Sequence, residues 1–298
     1  MNEPITTVAA HVAQKITPLY SSYSQAYACA WWLIEWLTQK SQTQLRAQNY
    51  QLTPEQEKTL TSVLHEHIVE HKPLQYILGT LQFLDLTLTV KPPILIPRPE
   101  TEYWCSELIA QLKQLEKQDF TILDMCSGSG CIGLAFAQVF PQARVYAVDI
   151  LPQACDLVRD NAHKNNIKNI HVVESDLFAA LPGDISFDII ISNPPYISHD
   201  EWLELDPSVK NWEDYRALVS PNNGLELITK LLSQSVKYIR LRPDFIEQSI
   251  PQIAIEIGYS QGTAVKEIFK HSNYTSIKVH KDLARHDRLV TAGAPVCI

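Results

Sequence analysis

The sequence predicts an α/β protein: a parallel sheet wrapped by helices, placed behind a small N-terminal helical domain. Three observations lead to that class. From about residue 100, short apolar runs alternate with segments of helical period, the order that builds a parallel sheet covered on both faces. Residues 1–80 keep a helical period. Between them the pattern switches to strict alternation. The expected divisions are therefore a helical domain at 1–80, a β-hairpin linker at 81–97 and a second domain at 98–298. A length of 298 residues suits about two domains of roughly 150 residues. With 45% hydrophobic and 19% charged residues there is ample material for a core, and disorder is excluded.

In the helical part, Ser24 is the expected N-cap of a helix with apolar positions at Ala28, Trp31, Trp32, Leu33, Trp36 and Leu37. Thr53-Pro54-Glu55-Gln56 predicts a capping box with Pro54 at the first helical position. That helix should run toward His71 and stop before Pro73. His65, His67 and His71 lie along it. The His67/His71 spacing could suit a metal, but no carboxylate or cysteine completes a site, so a solvated polar face is expected. Leu84 to Val90 alternates apolar and polar residues and reads as a half-buried strand. After a turn at Lys91-Pro92-Pro93, the short apolar run Ile94-Leu95-Ile96 could pair back on it as a hairpin. A helix with Trp104, Leu108, Leu112 and Leu115 on one face follows. Strands are then expected at Phe120–Met125, Arg144–Asp149, His171–Glu174, Phe187–Ile191 and Ile253–Ile257, with helices opening near Ser129 and Pro152.

Composition excludes several function classes. The net charge is −8 and the pI about 5.7, so the chain lacks the basic face needed to grip nucleic acid through its phosphates. Residues 1–82 carry 5 Lys+Arg against 6 Asp+Glu and residues 83–298 carry 20 against 27, so neither part is expected to form a basic platform. Six cysteines (Cys29, Cys105, Cys126, Cys131, Cys155 and Cys297) show no C-x-x-C, which disfavours a structural zinc and suggests reduced thiols in a cytoplasmic protein. The opening residues lack a secretion signal. The longest apolar run, Ala26 to Ile34, is far short of the roughly 20 residues that span a bilayer. A cytoplasmic monomer with no metal, no membrane span and no stable nucleic-acid binding is expected.

Glycine is scarce, 9 of 298 residues, yet Gly128, Gly130 and Gly133 fall together in a G-x-G-x-x-G pattern between a strand and a helix. In that context the pattern fits a Rossmann-like cofactor loop. Asp149 ends the next strand and can accept hydrogen bonds from both hydroxyls of a ribose. The pattern alone leaves NAD open. Asp124, at the end of the strand before the loop, places a carboxylate where pyrophosphate would lie. It favours a cationic, phosphate-free cofactor such as S-adenosylmethionine. Asp176 ends the third strand and could meet the adenine edge or cap a helix.

Asn193-Pro194-Pro195-Tyr196 follows a later strand, so it should face the same crevice outside the carboxyl ends of the sheet. Its prolines lack N–H donors and leave carbonyls free to accept. Asn193 Oδ1 and the Pro194 carbonyl could together accept both N–H bonds of a planar –NH2 group, with Tyr196 packing on its face.

Asp124 to Gly130, Asp149, Asp176 and Asn193 to Tyr196 together resemble the S-adenosylmethionine-dependent amino-methyltransferases. Ile96-Pro97-Arg98-Pro99-Glu100-Thr101-Glu102 narrows the likeness to the HemK/PrmC family, the glutamine N5-methyltransferases of peptide-chain release factors. Lys72 to Gly79, and Lys281-Asp282-Leu283 with Asp287-Arg288, are similar to that family as well. The resemblance spans about residues 70–290 and implies catalytic Asn193, Pro194 and Tyr196. It implies a cofactor on Cys126, Ser127, Gly128, Ser129, Gly130, Asp149, Asp176, Leu177 and Asn193. It also implies a glutamine substrate on Asn193, Pro194, Pro195 and Tyr196, in the Gly-Gly-Gln loop of a release factor. Cys126 replaces the family's usual glycine, Glu213-Asp214 a familiar Glu-Pro, and Tyr238 to Ser249 reads as an insertion. A ribosomal-protein glutamine methyltransferase, a DNA adenine-N6 methyltransferase and an inactive binding module are the alternatives.

Overall fold

A computed structural model describes residues 3–116 and 119–296; Cys297 lies outside the described residues. The chain divides into two compact units, one made of residues 1–80 with 206–212 and the other of 81–205 with 213–298.

The first unit is helical: α1 (Ile5–Ile16), α2 (Tyr23–Thr38), α3 (Gln42–Ala47), α4 (Pro54–Ile68) and α5 (Leu74–Leu78). α2 starts two residues before the position expected from Ser24, because Ser22 is the N-cap and accepts the Gln25 N–H. Trp32 on this helix is exposed, while Ala26, Ala30, Leu33 and Ile34 are buried. The capping box at Thr53 forms, with Gln56 returning to the Thr53 N–H. α4 ends at Ile68, and His71 lies beyond it with φ 56°. The expected polar histidine face is wrong at one position. His67 is buried, with its ring nitrogens on Tyr20 Oη and the Lys72 carbonyl. Burial lowers its pKa, so it serves the core as a neutral ring.

The boundary between the units falls at the start of a hairpin, β1 (Thr80–Phe83) and β2 (Leu86–Thr89). Its turn is at Leu84-Asp85, so the expected continuous strand from Leu84 is broken and Ile94–Ile96 does not pair back. The Leu84 N–H is held by Glu102 at 2.6 Å. Then follow α6 (Pro99–Leu112), β3 (Thr121–Met125), α7 (Cys131–Val139), β4 (Arg144–Asp149), α8 (Pro152–Lys164), β5 (Ile170–Glu174) and β6 (Ile189–Ser192). Four short helices come next: α9 (His199–Leu203), α10 (Pro207–Lys210, within the first unit), α11 (Tyr215–Leu218) and α12 (Pro221–Gly224). The rest is α13 (Glu226–Ser235), α14 (Pro243–Glu247), β7 (Ile253–Glu256), α15 (Gly262–His271), β8 (Tyr274–Lys281) and β9 (Asp287–Pro295).

Seven strands form one sheet in the order β5-β4-β3-β6-β7-β9-β8. The first five in that order are parallel, and β9 and β8 add an antiparallel edge. The apolar strands bury both faces: Ile122, Val145 and Ile189 face a cluster with α6 and α7, while Leu123, Val148 and Ile190 face one with α13 and α15. The segment read as an insertion is ordered. Arg240 and Arg242 reach the fully buried Asp188 at 3.4 and 3.3 Å, and Phe245 enters the core. No helix among the described residues is long and apolar enough to cross a membrane.

Candidate active site

The chain runs outward from β3 through β4 to β5, then returns to the other side of β3 for β6. The switch point thus lies between β3 and β6, where a crevice opens beyond the strand ends. Met125 pairs with Ser192 at the last rung, and Ser192 Oγ donates to the Met125 carbonyl at 2.6 Å. One residue further, Cys126 enters the glycine loop and Asn193 opens the Asn-Pro-Pro-Tyr segment. Pairing across two strands therefore joins motifs 67 residues apart.

A cavity of about 320 Å³ occupies this crevice, lined in part by Cys126, Gly128, Asp149, Asp176, Leu177, Asn193 and Pro195. Ile94, Leu95, Leu151 and Ala154 supply apolar wall. Ser127, Ser129, Gly130, Pro194 and Tyr196 do not line it. Cys126 holds φ 61°, the left-handed region that favours glycine, which accounts for glycine being usual there. Burial and the neighbouring Asp149 carboxylate push its thiol pKa far up, so it is no thiolate nucleophile. Gly130 serves packing: a Cβ there would meet both Val158 methyls at 3.0 Å.

The carboxylates occupy backbone donors. Asp149 accepts the Gly128 N–H at 2.8 Å and the Leu151 N–H at 2.9 Å. Asp124 accepts the Gly133 N–H, in the first turn of α7, at 2.8 Å. A pyrophosphate at a glycine loop needs such amides free; here two of them already hold carboxylates. Asp124 does so from behind the loop. It is fully buried and away from the cavity, so the expectation of an acidic rim at that residue is corrected. Its pKa is pushed up to about 7, mainly by burial, with Asp149 adding and the Gly133 N–H opposing. Asp176 is exposed at the rim and caps no helix; Ser175 Oγ takes the Ala180 N–H instead. Arg216 and Lys230 also reach the cavity, but each is paired, with Asp214 at 2.9 Å and Glu226 at 2.6 Å.

Behind Asn193 lies a carboxylate that sequence reasoning missed. Glu256, at the end of β7, is buried and accepts from Thr101 Oγ1 at 2.7 Å, Trp104 Nε1 at 2.8 Å and Tyr196 Oη at 3.3 Å. Thr101 in turn accepts from Asn193 Nδ2 at 3.3 Å. Arg98 pairs with the buried Glu213 at 2.6 Å, which also holds the Ile96 N–H. The Ile96 to Glu102 stretch is thus an anchoring device, with Arg98, Thr101 and Glu102 each tied to a distant element. Asp214, where a proline is familiar, donates its N–H to the Pro93 carbonyl, a bond proline could not make.

A family model described as a methyltransferase small domain matches residues 105–205, and one described as the PrmC N-terminal domain matches residues 20–79. Among solved structures, a methyltransferase from Pyrococcus furiosus superposes with a TM-score of 0.50 at 17% identity, covering 80% of this chain and 99% of that one. The hMettl16 catalytic domain gives 0.52 at 14% identity, covering 81% and 82%. The domain match gives the class, a methyltransferase, on a fold shared with these solved structures. The release factor glutamine methyltransferase of Thermodesulfovibrio yellowstonii is 34% identical over 83% of this chain and 85% of its own length. That of Lactococcus lactis is 37% identical over 80% and 84%, and that of Escherichia coli 34% over 88% and 89%. The chain belongs to the release factor glutamine methyltransferase family.

Proposed function

We propose that this chain transfers a methyl group from S-adenosylmethionine to the side-chain amide nitrogen, N5, of a glutamine in the Gly-Gly-Gln loop of a peptide-chain release factor, in the cytoplasm. The observation that carries the reading is Asn193. It lines the same cavity as Gly128 and Asp149 and, with Nδ2 held by Thr101, has Oδ1 left for an acceptor.

The residues suit S-adenosylmethionine. Ser127 Oγ is buried with no partner in the protein, and a Cβ on Gly128 would have no atom nearer than 3.9 Å, so the loop leaves room for a ligand. The backbone of Cys126, Ser127, Gly128, Ser129 and Gly130 would underlie the cofactor. Asp149 would hold the ribose, and Asp176 and Leu177 the adenine. The bound cofactor supplies an electrophilic methyl group on a sulfonium.

An amide nitrogen is a weak nucleophile because its lone pair is delocalised into the carbonyl. Asn193 Oδ1 and the Pro194 carbonyl accept its two N–H bonds, which returns density to nitrogen and aims the lone pair. Tyr196 and Pro195 pack on the amide plane, and the Tyr196 hydroxyl is tied to Glu256. Such alignment is worth several kcal/mol (about 7–11 at best), with oriented dipoles adding to it. No strong base is needed, since a methylated amide cation sheds its proton readily to water. Residues 98–298 carry this chemistry in our reading. Residues 1–80 dock the release factor, and residues 81–97 link the two.

The test is mass spectrometry of release factor, ribosomal protein and DNA after incubation with enzyme and S-adenosylmethionine. One added methyl on the release-factor glutamine, lost in Asn193→Ala, is expected. Modification of the ribosomal protein alone, or of adenine alone, overturns the reading.

A further inference from the structure

The acceptor cradle works only if Asn193 presents its oxygen. An asparagine amide turned over would meet a substrate –NH2 with its own –NH2, donor against donor. Something must therefore set the orientation, and the hydrogen-bond polarity around Thr101 does so. The indole N–H of Trp104 can only donate, and an ionised carboxylate can only accept. Trp104 Nε1 and Thr101 Oγ1 share Glu256 Oε2, at 2.8 and 2.7 Å, while Tyr196 Oη approaches Oε1 at 3.3 Å. The single hydroxyl proton of Thr101 is thereby committed to Glu256. Thr101 then faces Asn193 with a lone pair, which Nδ2 satisfies at 3.3 Å. The opposite rotamer would bring Asn193 Oδ1 against that lone pair.

We propose that Glu256, acting through Thr101, is a positioning residue that fixes the Asn193 amide with Oδ1 toward the acceptor nitrogen. The inference rests on the reading of Asn193 as the acceptor cradle and deepens it: the buried carboxylate makes the site select a hydrogen-bond donor, a primary amide, over a carboxylate of the same shape. The network is placed for this and for little else. Thr101 and Glu256 are each 1% exposed, and neither lines the cofactor cavity. Burial raises the pKa of Glu256, and its three donors and the nearby Arg288 guanidinium oppose that rise; with both Trp104 and Thr101 donating to Oε2, that oxygen is the acceptor of the pair. Hydrogen bonds in such a dry chain polarise one another, which sharpens the preference.

The experiment measures kcat and KM with a whole release factor, and S-adenosylmethionine affinity by calorimetry, for Thr101→Val, Thr101→Ser, Glu256→Gln and Asn193→Ala. Thermal unfolding accompanies each. Thr101→Val keeps the shape and removes the relay. We expect kcat to fall about 10- to 100-fold while cofactor affinity stays within about twofold, a flip penalty of roughly 1.4–2.7 kcal/mol. Thr101→Ser restores the hydroxyl and should recover most of kcat. Glu256→Gln, which can donate where the carboxylate accepts, should also lose kcat rather than cofactor binding. Wild-type kcat in a folded Thr101→Val protein, with Asn193→Ala inactive, overturns the positioning role and leaves the cradle standing. So does a Thr101→Ser variant as slow as Thr101→Val. Wild-type turnover in Asn193→Ala instead overturns the cradle itself.

Discussion

At the residue scale, two carboxylates a few ångströms from the glycine loop have different duties because burial differs. Asp149 reaches the cavity wall; Asp124 is sealed behind it. A buried carboxyl with a pKa near 7 in the folded chain, against 3.8 ordinarily, takes up a proton on folding between those values. Its contribution to stability is fully present below about pH 4, declines as pH rises toward about 7 and is lost above. Asp124→Asn removes that decline. Its stability relative to the natural chain should therefore rise between about pH 4 and 7, by up to about 4 kcal/mol, and level off above about pH 8. Urea unfolding at several pH values checks this; a difference flat with pH would mean that Asp124 titrates normally. Gly128, Asp149 and Asn193 were legible in the sequence because each sits in a short local pattern tied to a strand end. Glu256 was not, since one carboxylate closing an apolar run gives no local sign. Its partners come from α6 and from the segment after β6, and only the folded sheet brings them together. Asp124 was visible but misplaced, because the pattern does not say which face of β3 it occupies.

At the element scale, the parallel strands and their helices followed from apolar runs set off by turn residues. The β1–β2 turn escaped notice because it uses Leu84 at φ 50° where a glycine or asparagine is the usual signal. β8 escaped because it is half-exposed, and β9 because its pairing with β8 is bulged, with register shifts near Thr275, Lys278 and His280. The segment after Tyr238 fastens the opposite end of the sheet through Asp188, which also accepts the Thr121 N–H at 2.7 Å. Asp188→Ala should destabilise the chain by about 3 kcal/mol, because it strips a buried carboxylate from Arg242 and from that amide. Asp244→Ala removes the more exposed partner of Arg242 and should cost under about 1 kcal/mol. Equal losses in denaturant titration would refute the distinction.

At the scale of the whole molecule, the chain carries a net charge of −8. In our reading, recognition is divided between a narrow cleft that chooses the amide and a helical unit that chooses the protein. A free glutamine peptide should then show kcat/KM at least about 100-fold below that of a whole release factor, since remote binding energy is lost. Equal values in a steady-state assay would confine recognition to the cleft. The order of the sheet also sets a sequence in time. β9 follows β7 and β8 in the chain, yet lies between them. On the ribosome the N-terminal parts emerge first, so the glycine loop and Asp149 can be in place while β7 still has a bare apolar edge. Glu256 pairs with Leu289 across that edge. The carboxylate that orients Asn193 therefore gains its strand partner only after residues 287–295 have left the exit tunnel. A chain stalled earlier offers Ile253, Ala254 and Ile255 on an open strand edge, inviting capture by chaperones or pairing with another chain.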